Sequence, residues 1–215
     1  MNKIIKKLSL GVFLASSVSL SPLANADTAD GASLMNKSWD QIVETAKGGE
    51  VNWFLWGGAD HINRYVTEYV GGVLKDKYNI TLNRVPLTDT AAAVNTVLSE
   101  KESGVNDKGT VDMIWINGEN FKTMKQGDMA WCGYLDKLPN NKLVNWNNQA
   151  IANDFGVPVD GCESPWNRAH SVFAYDTATM ENPPMSISEL IEWIKANPGM
   201  FTYPAPPDFT GSAFV

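Results

Sequence analysis

The chain has 215 residues, of which 44% are hydrophobic and 19% charged, and 17 basic against 24 acidic residues give it a net charge of -7. That length allows one or two packed domains, and the acidity argues against nucleic acid or an anionic membrane surface as a partner. Two histidines and two cysteines leave little material for a metal centre.

Residues 1–26 carry Lys3, Lys6 and Lys7, then an apolar stretch from Leu8 to Leu20, then Ala24-Asn25-Ala26. This is the pattern of a Sec signal peptide cleaved after Ala26, which places the remaining chain in the periplasm. The apolar stretch is short for a membrane span. Its removal takes away three lysines and no acid, so the net charge moves from -7 to about -10.

Ser38-Trp39-Asp40-Gln41 has the form of a capping box, and Trp39, Ile42, Val43 and Ala46 mark one face of a short helix that ends at Gly48-Gly49. Val51 to Trp56 is a predicted buried strand stopped by Gly57-Gly58. A helix is expected from Asp60 to about Tyr78, with Ile62, Tyr65, Val66, Tyr69, Val73 and Leu74 as its apolar stripe. Within it, Gly71-Gly72 suggests a close approach by another element.

A second strand is predicted over Ile80 to Val85, a second helix over Asp89 to Ser103, and a third strand over Val111 to Ile116. The unbroken apolar run of that third strand implies burial on both faces, as in a parallel sheet. Asn117-Gly118-Glu119-Asn120 then opens a short helix through Met124. Strand, helix, strand, helix, strand indicates an α/β fold with a doubly wound sheet.

Periodicity fades from Trp131 to Asn167. One more strand is expected over His170 to Tyr175, and Ser186 with Glu189 forms a second capping box for a helix whose apolar face is Leu190, Ile191, Trp193 and Ile194. Beyond it, Pro204, Pro206 and Pro207 stiffen an extended approach. Asp208, Thr210 and Ser212 there are candidate caps for a last helix.

Cys132 and Cys162 would both meet an oxidising compartment, so a disulfide is the default expectation; two small buried thiols are the alternative. Ligands of an open α/β sheet collect at the carboxyl ends of the strands. Here those ends are Trp56-Gly57-Gly58-Ala59-Asp60, Pro86-Leu87-Thr88-Asp89 and Asn117-Gly118-Glu119-Asn120-Phe121. Glycines that admit a ligand to the backbone, with aromatic walls from Trp56 and Phe121, describe a binding cleft more readily than a catalytic centre. Trp166, in an irregular segment, is either a core plug or a ligand platform, whereas Trp39, Trp53 and Trp193 fall on core patterns. No GxSxG, HExxH or P-loop occurs, and no catalytic residue, cofactor or metal site is assigned.

Several blocks are similar to a known family: Trp56-Gly57-Gly58 with Asn63-Arg64-Tyr65, Val111-Asp112 with Trp115 through Phe121, Glu163-Ser164-Pro165-Trp166, and Tyr203-Pro204 with Pro206-Pro207-Asp208-Phe209-Thr210-Gly211. In this order they resemble the Ynj-type solute-binding proteins of bacterial ABC transporters, across essentially the whole chain after the signal. The resemblance implies a two-lobed, type II periplasmic binding fold, related to binders of thiamine, iron and polyamines. Lobe one is expected over 27–172, with a hinge strand and the start of lobe two over 173–215. Family members are much longer, so a C-terminally truncated form with an incomplete second lobe is expected.

The function so implied is the extracytoplasmic solute-binding component of an ABC transporter. The resemblance implies a non-enzymatic and monomeric protein that closes on a small polar solute and delivers it to a membrane permease. Thiamine-like, polyamine-like or metal-complex ligands fit the class. The ligand-binding set is Trp56, Gly57, Gly58, Asp60, Asn117, Gly118 and Glu119 from lobe one, Trp166 near the hinge, and Tyr203, Asp208, Thr210 and Gly211 from lobe two. The competing readings are a periplasmic hydrolase using a carboxylate pair, such as Glu119 and Asp208, on a small ester or glycoside, and a carbohydrate-binding module with Trp56 and Trp166 on one flat face.

Overall fold

The computed structural model describes residues 31–215 apart from 106, 169 and 207; the expected signal peptide lies outside the described residues. Two compact units divide the chain, one running to Ser164 and the other spanning Pro165–Val215.

In the first unit, a short helix α1 (Gly31–Leu34) precedes α2 (Trp39–Ala46), which starts at the expected capping box. The Ser38 hydroxyl accepts from the Gln41 amide, and the Gln41 side chain accepts from the Ser38 amide at 2.9 Å. Trp39, expected in the core, is instead 41% exposed. At the first turn of an eight-residue helix, it lies at the end of the apolar stripe with little of it packed.

Strand β1 (Glu50–Trp56) alternates in burial, with Trp53 and Leu55 inside. A continuous helical stretch follows in three pieces: α3 (Asp60–Arg64), a π-helical segment Tyr65–Val70, and α4 (Gly71–Tyr78). It ends at Asn79 in the left-handed region, whose amide returns to the carbonyl of Lys75. The close approach expected at Gly71-Gly72 is absent. A Cβ added at Gly71 would touch Leu82 only at ordinary contact distance, 3.9 Å, and one at Gly72 would meet nothing within 4 Å.

Strand β2 (Thr81–Leu87) pairs in parallel with β1 along its full length, Glu50 opposite Thr81 and Trp56 opposite Leu87. Helix α5 (Ala91–Glu102) leads to β3 (Met113–Ile114), parallel to β1 on its other side. The sheet order is therefore β2-β1-β3. The third strand is shorter than its apolar run predicts, and Met113 is 41% exposed. The reason is local: the Asp112 carboxylate takes the Asn52 amide at 2.7 Å, where a backbone carbonyl of the ladder would otherwise accept. At the other end the Trp115 carbonyl accepts from the Thr90 hydroxyl at 3.4 Å. As an edge strand β3 has a ladder partner on one side only.

Trp53, Leu55 and Val66 form the central core, with Ile62, Leu82 and Trp115 packed against them. Leu55 and Val66 are fully buried, each contributing roughly 1.5–3 kcal/mol by removal of apolar surface from water. Ala93 and Val94 of α5 and Phe121 and Met124 of α6 (Gly118–Gln126) are also buried, and the two helices contact each other.

Beyond α6, a one-turn helix α7 (Gln149–Ala152) enters a tight hairpin of β4 (Asn153–Asp154) and β5 (Val157–Pro158). Its two turn residues, Phe155 and Gly156, both have positive φ, 45° and 81°. That is the backbone a two-residue antiparallel turn demands.

The second unit holds α8 (Ile187–Ala196) and α9 (Phe209–Phe214). Ser186 caps α8 by accepting from the Glu189 amide at 3.2 Å, but the Glu189 carboxylate returns to the Met185 amide at 2.7 Å, one residue earlier than an ideal box. The strand expected over His170 to Tyr175 does not form. Every residue in it is exposed and none takes part in a ladder. Phe173 instead joins Phe201, Tyr203 and Phe214 in a cluster of rings with centroids 5.0–6.2 Å apart.

Candidate functional site

The strand order reverses at β1: the chain leaves it on one side for β2 and comes back on the other for β3. In such a sheet the loops at the carboxyl ends of the two strands flanking the reversal part, leaving a crevice. Here the carboxyl end of β1 supplies Trp56, Gly57, Gly58 and Asp60, and that of β3 supplies Asn117, Gly118 and Glu119. The sheet thus gathers the seven expected lobe-one residues at one edge.

Trp56, 47% exposed, lies across Gly58, where an added Cβ would come within 2.1 Å of the indole. A Cβ on Gly57 would come within 2.9 Å of Pro86. The turn is therefore built for glycine by packing alone. It is also tied down: the Gly57 amide donates to the Leu87 carbonyl at 3.0 Å, and the Asn63 side-chain amide donates to the Gly57 carbonyl at 2.8 Å. Asp60 stands exposed in the first turn of α3, where an acid is favoured.

Gly118 has φ +60° and is buried, and the extended Asn117 before it makes no side-chain cap. The cap comes from far along the chain, since the Gly118 amide donates to the Asp154 carboxylate on the hairpin. At the far end of α6, Lys125 binds the Pro158 carbonyl and, at 2.6 Å, the Asp160 carboxylate. The hairpin is thus held to α6 at both ends.

Cys132 and Cys162 are bridged. Beside the bridge the Gly133 amide donates to the Gly161 carbonyl at 2.9 Å. Tyr134 and Glu163 flank the bridge in sequence, and their charges, with that of Asp154, act on one another. Burial, reinforced by the neighbouring Asp154 charge, pushes the Glu163 carboxyl up to about 8. Burial also raises Asp154, an effect the Gly118 amide opposes. Tyr134 is raised by burial first and by Glu163 second, against a hydrogen bond from the Ser164 amide. At neutral pH the Glu163 carboxyl is therefore mostly in its neutral form.

Sequence reasoning did not assign Asp154, Glu163 or Tyr134. One signal was available: Tyr134 and Glu163 lie within two residues of Cys132 and Cys162. Asp154 had no comparable mark, because its place at Gly118 depends on the hairpin.

The remaining expected residues lie in the second unit. Tyr203 packs its ring against Phe214 with centroids 5.0 Å apart, and the Asp208 carboxylate caps α9 by accepting from the Gly211 amide at 3.1 Å. Gly211 is buried so closely that an added Cβ would fall 1.9 Å from the Pro204 carbonyl oxygen. Thr210 and Trp166 are exposed, Trp166 at 40%. Among the described residues no group of three His, Cys, Asp or Glu side chains is placed to hold a metal ion, and no helix is long and apolar enough to cross a membrane.

The sheet reverses at its central strand, and its carboxyl edge carries the exposed Trp56 and the buried Gly118, whereas Phe121, the other expected aromatic wall, is packed in the core; open α/β sheets take small ligands at such an edge. Residues 73–214, about two thirds of the chain, match the family of bacterial extracellular solute-binding proteins, and the chain belongs to that family. It is also similar to protein YnjB of Escherichia coli (strain K12), 42% identical over 177 residues. That alignment takes in 82% of this chain and 45% of the relative, so the chain spans about half of the relative's length.

Proposed function

We propose that this chain is the solute-binding part of an extracytoplasmic receptor of an ABC transporter, which captures a small polar solute without chemical turnover and presents it to a membrane permease. The observation that supports the reading is the strand reversal at β1, which sets the loop with the half-exposed Trp56 and the loop that opens α6 at the same edge of the sheet. Family membership supports it. The fold proposed for the full receptor is two-lobed and type II, with lobe one over 27–172 and lobe two from 173; residues 165–168 and 170–172 carry no helix or strand. Ligand capture then selects the closed arrangement of the lobes.

In lobe one the solute contacts are Trp56, Gly57, Gly58, Asp60, Asn117, Gly118 and Glu119, extended to Glu163 and Tyr134. From the second unit, Trp166, Tyr203, Asp208, Thr210 and Gly211 are the proposed contacts. The test is calorimetric titration of the protein with thiamine and with spermidine. Saturable binding that is lost in Trp56→Ala supports the reading. Binding of either ligand that is unchanged in Trp56→Ala, or release of a reaction product from the solute, counts against it.

A further inference from the structure

Arg84 lies on β2 in register with Trp53, on the sheet face that carries the central core, and its side chain is half-buried. Its one hydrogen bond among the described residues goes to a neutral acceptor, Asn63 Oδ1, at 3.3 Å. The Nε atom is buried without a partner. No carboxylate of the described residues comes within ion-pair distance, although acids outnumber bases by 24 to 17 in the chain. A guanidinium withdrawn from water keeps its charge, so burial without an anion is costly.

The position of this charge is informative. Asn63 spends its amide nitrogen on the Gly57 carbonyl and its amide oxygen on Arg84, which makes a relay from the strand to the turn. A Cβ built on Gly57 would lie 3.8 Å from Arg84 Nη1, so the guanidinium adjoins the Trp56-Gly57-Gly58 turn directly. The fork of an arginine matches the paired oxygens of a carboxylate or phosphate, and such charge-assisted bonds are about twice as strong as neutral ones.

We propose that Arg84 is the anchor for an anionic oxygen group, a carboxylate or a phosphate, that enters beside the Gly57 turn. This deepens the reading of the chain as a solute binder and rests on it. The group completes the hydrogen bonding of the guanidinium, while Asn63 holds the fork in place.

The experiment is a titration of the protein with inorganic phosphate and, separately, with acetate, at constant ionic strength set by chloride. The readout is the Arg84 Nε–H cross-peak in nitrogen-correlated proton spectra. A saturable shift of Nε–H and of the neighbouring Gly57 amide with one or both anions is expected; read at the Gly57 amide, it is weakened at least tenfold in Arg84→Lys and lost in Arg84→Gln. The two anions separate a planar from a tetrahedral preference. If Arg84→Gln does not fold, the wild-type resonance and Arg84→Lys decide.

Arg84 shifts that stay linear with both anions, or an unchanged affinity in Arg84→Lys, overturn the proposal. Saturable thiamine or spermidine binding in that same sample would leave the solute-binder reading standing and isolate the failure to Arg84.

Discussion

Replacing Glu163 with glutamine tests the electrostatics of the α6 entry. The folded protein holds the Glu163 proton to about pH 8, whereas the ordinary value is 4.5. Between those values the folded state binds more protons than the unfolded state, so stability falls as pH rises through that window. The contribution is fully present below pH 4.5 and gone above about pH 8. At about 1.4 kcal/mol per pH unit the ceiling is roughly 4–5 kcal/mol, and because part of the group is open to water, screening reduces it to about 1–2 kcal/mol. Glutamine resembles the protonated acid and cannot ionise. Urea unfolding at pH 5, 7 and 9 should show the wild type losing about 1–2 kcal/mol across the series and Glu163→Gln losing much less. A decline of the same size in the variant would refute the assignment of the titration to Glu163.

Gly58→Ala should displace the Trp56 indole, since the new Cβ would lie 2.1 Å from it; a red-shifted, more quenchable tryptophan emission with little loss of stability is the expected record. Cys132→Ser with Cys162→Ser opens a loop of sequence separation 30 and should cost roughly 3–4 kcal/mol in urea unfolding. It should also free Glu163 from its neighbours, seen as a carboxyl titration nearer the ordinary range. Gly118→Ala places a side chain at φ +60° and should destabilise by about 1–2 kcal/mol, measured by thermal unfolding. Asp208→Ala removes the α9 cap and should cost about 1 kcal/mol, with the loss confined to amide exchange in the second unit.

Much of the first unit was legible because local signals coincided. Ser38 and Gln41 had the spacing of a capping box, the run from Asp60 to Tyr78 had a helical period, and Gly57-Gly58 stopped a strand whose alternate residues, Trp53 and Leu55, are buried. The expected strand at His170 to Tyr175 failed for a complementary reason. A strand needs a partner for its amides, and composition cannot supply one. Phe173 shows what prevailed there: ring packing with Phe201 and Phe214 without a ladder.

The site divides in the same way. Glycines at 57 and 58 announced a closely packed turn and Gly118 a left-handed backbone, and an α/β sequence order implies a sheet whose carboxyl edge gathers them. The solute-binding family was also readable from the ordered blocks of residues. What the sequence could not contain was the meeting of groups far apart in the chain: Asp154 at the Gly118 amide, Glu163 beside Asp154, Tyr134 beside Glu163, and Arg84 under the Gly57 turn without an acid. Periodicity and capping act over a few residues, so the sequence by itself determined the elements and the glycine turns. Burial and the distance between charges exist only once the chain has packed, so the tertiary structure alone decided which acids are shifted upward and that Arg84 meets Asn63 and no acid among the described residues.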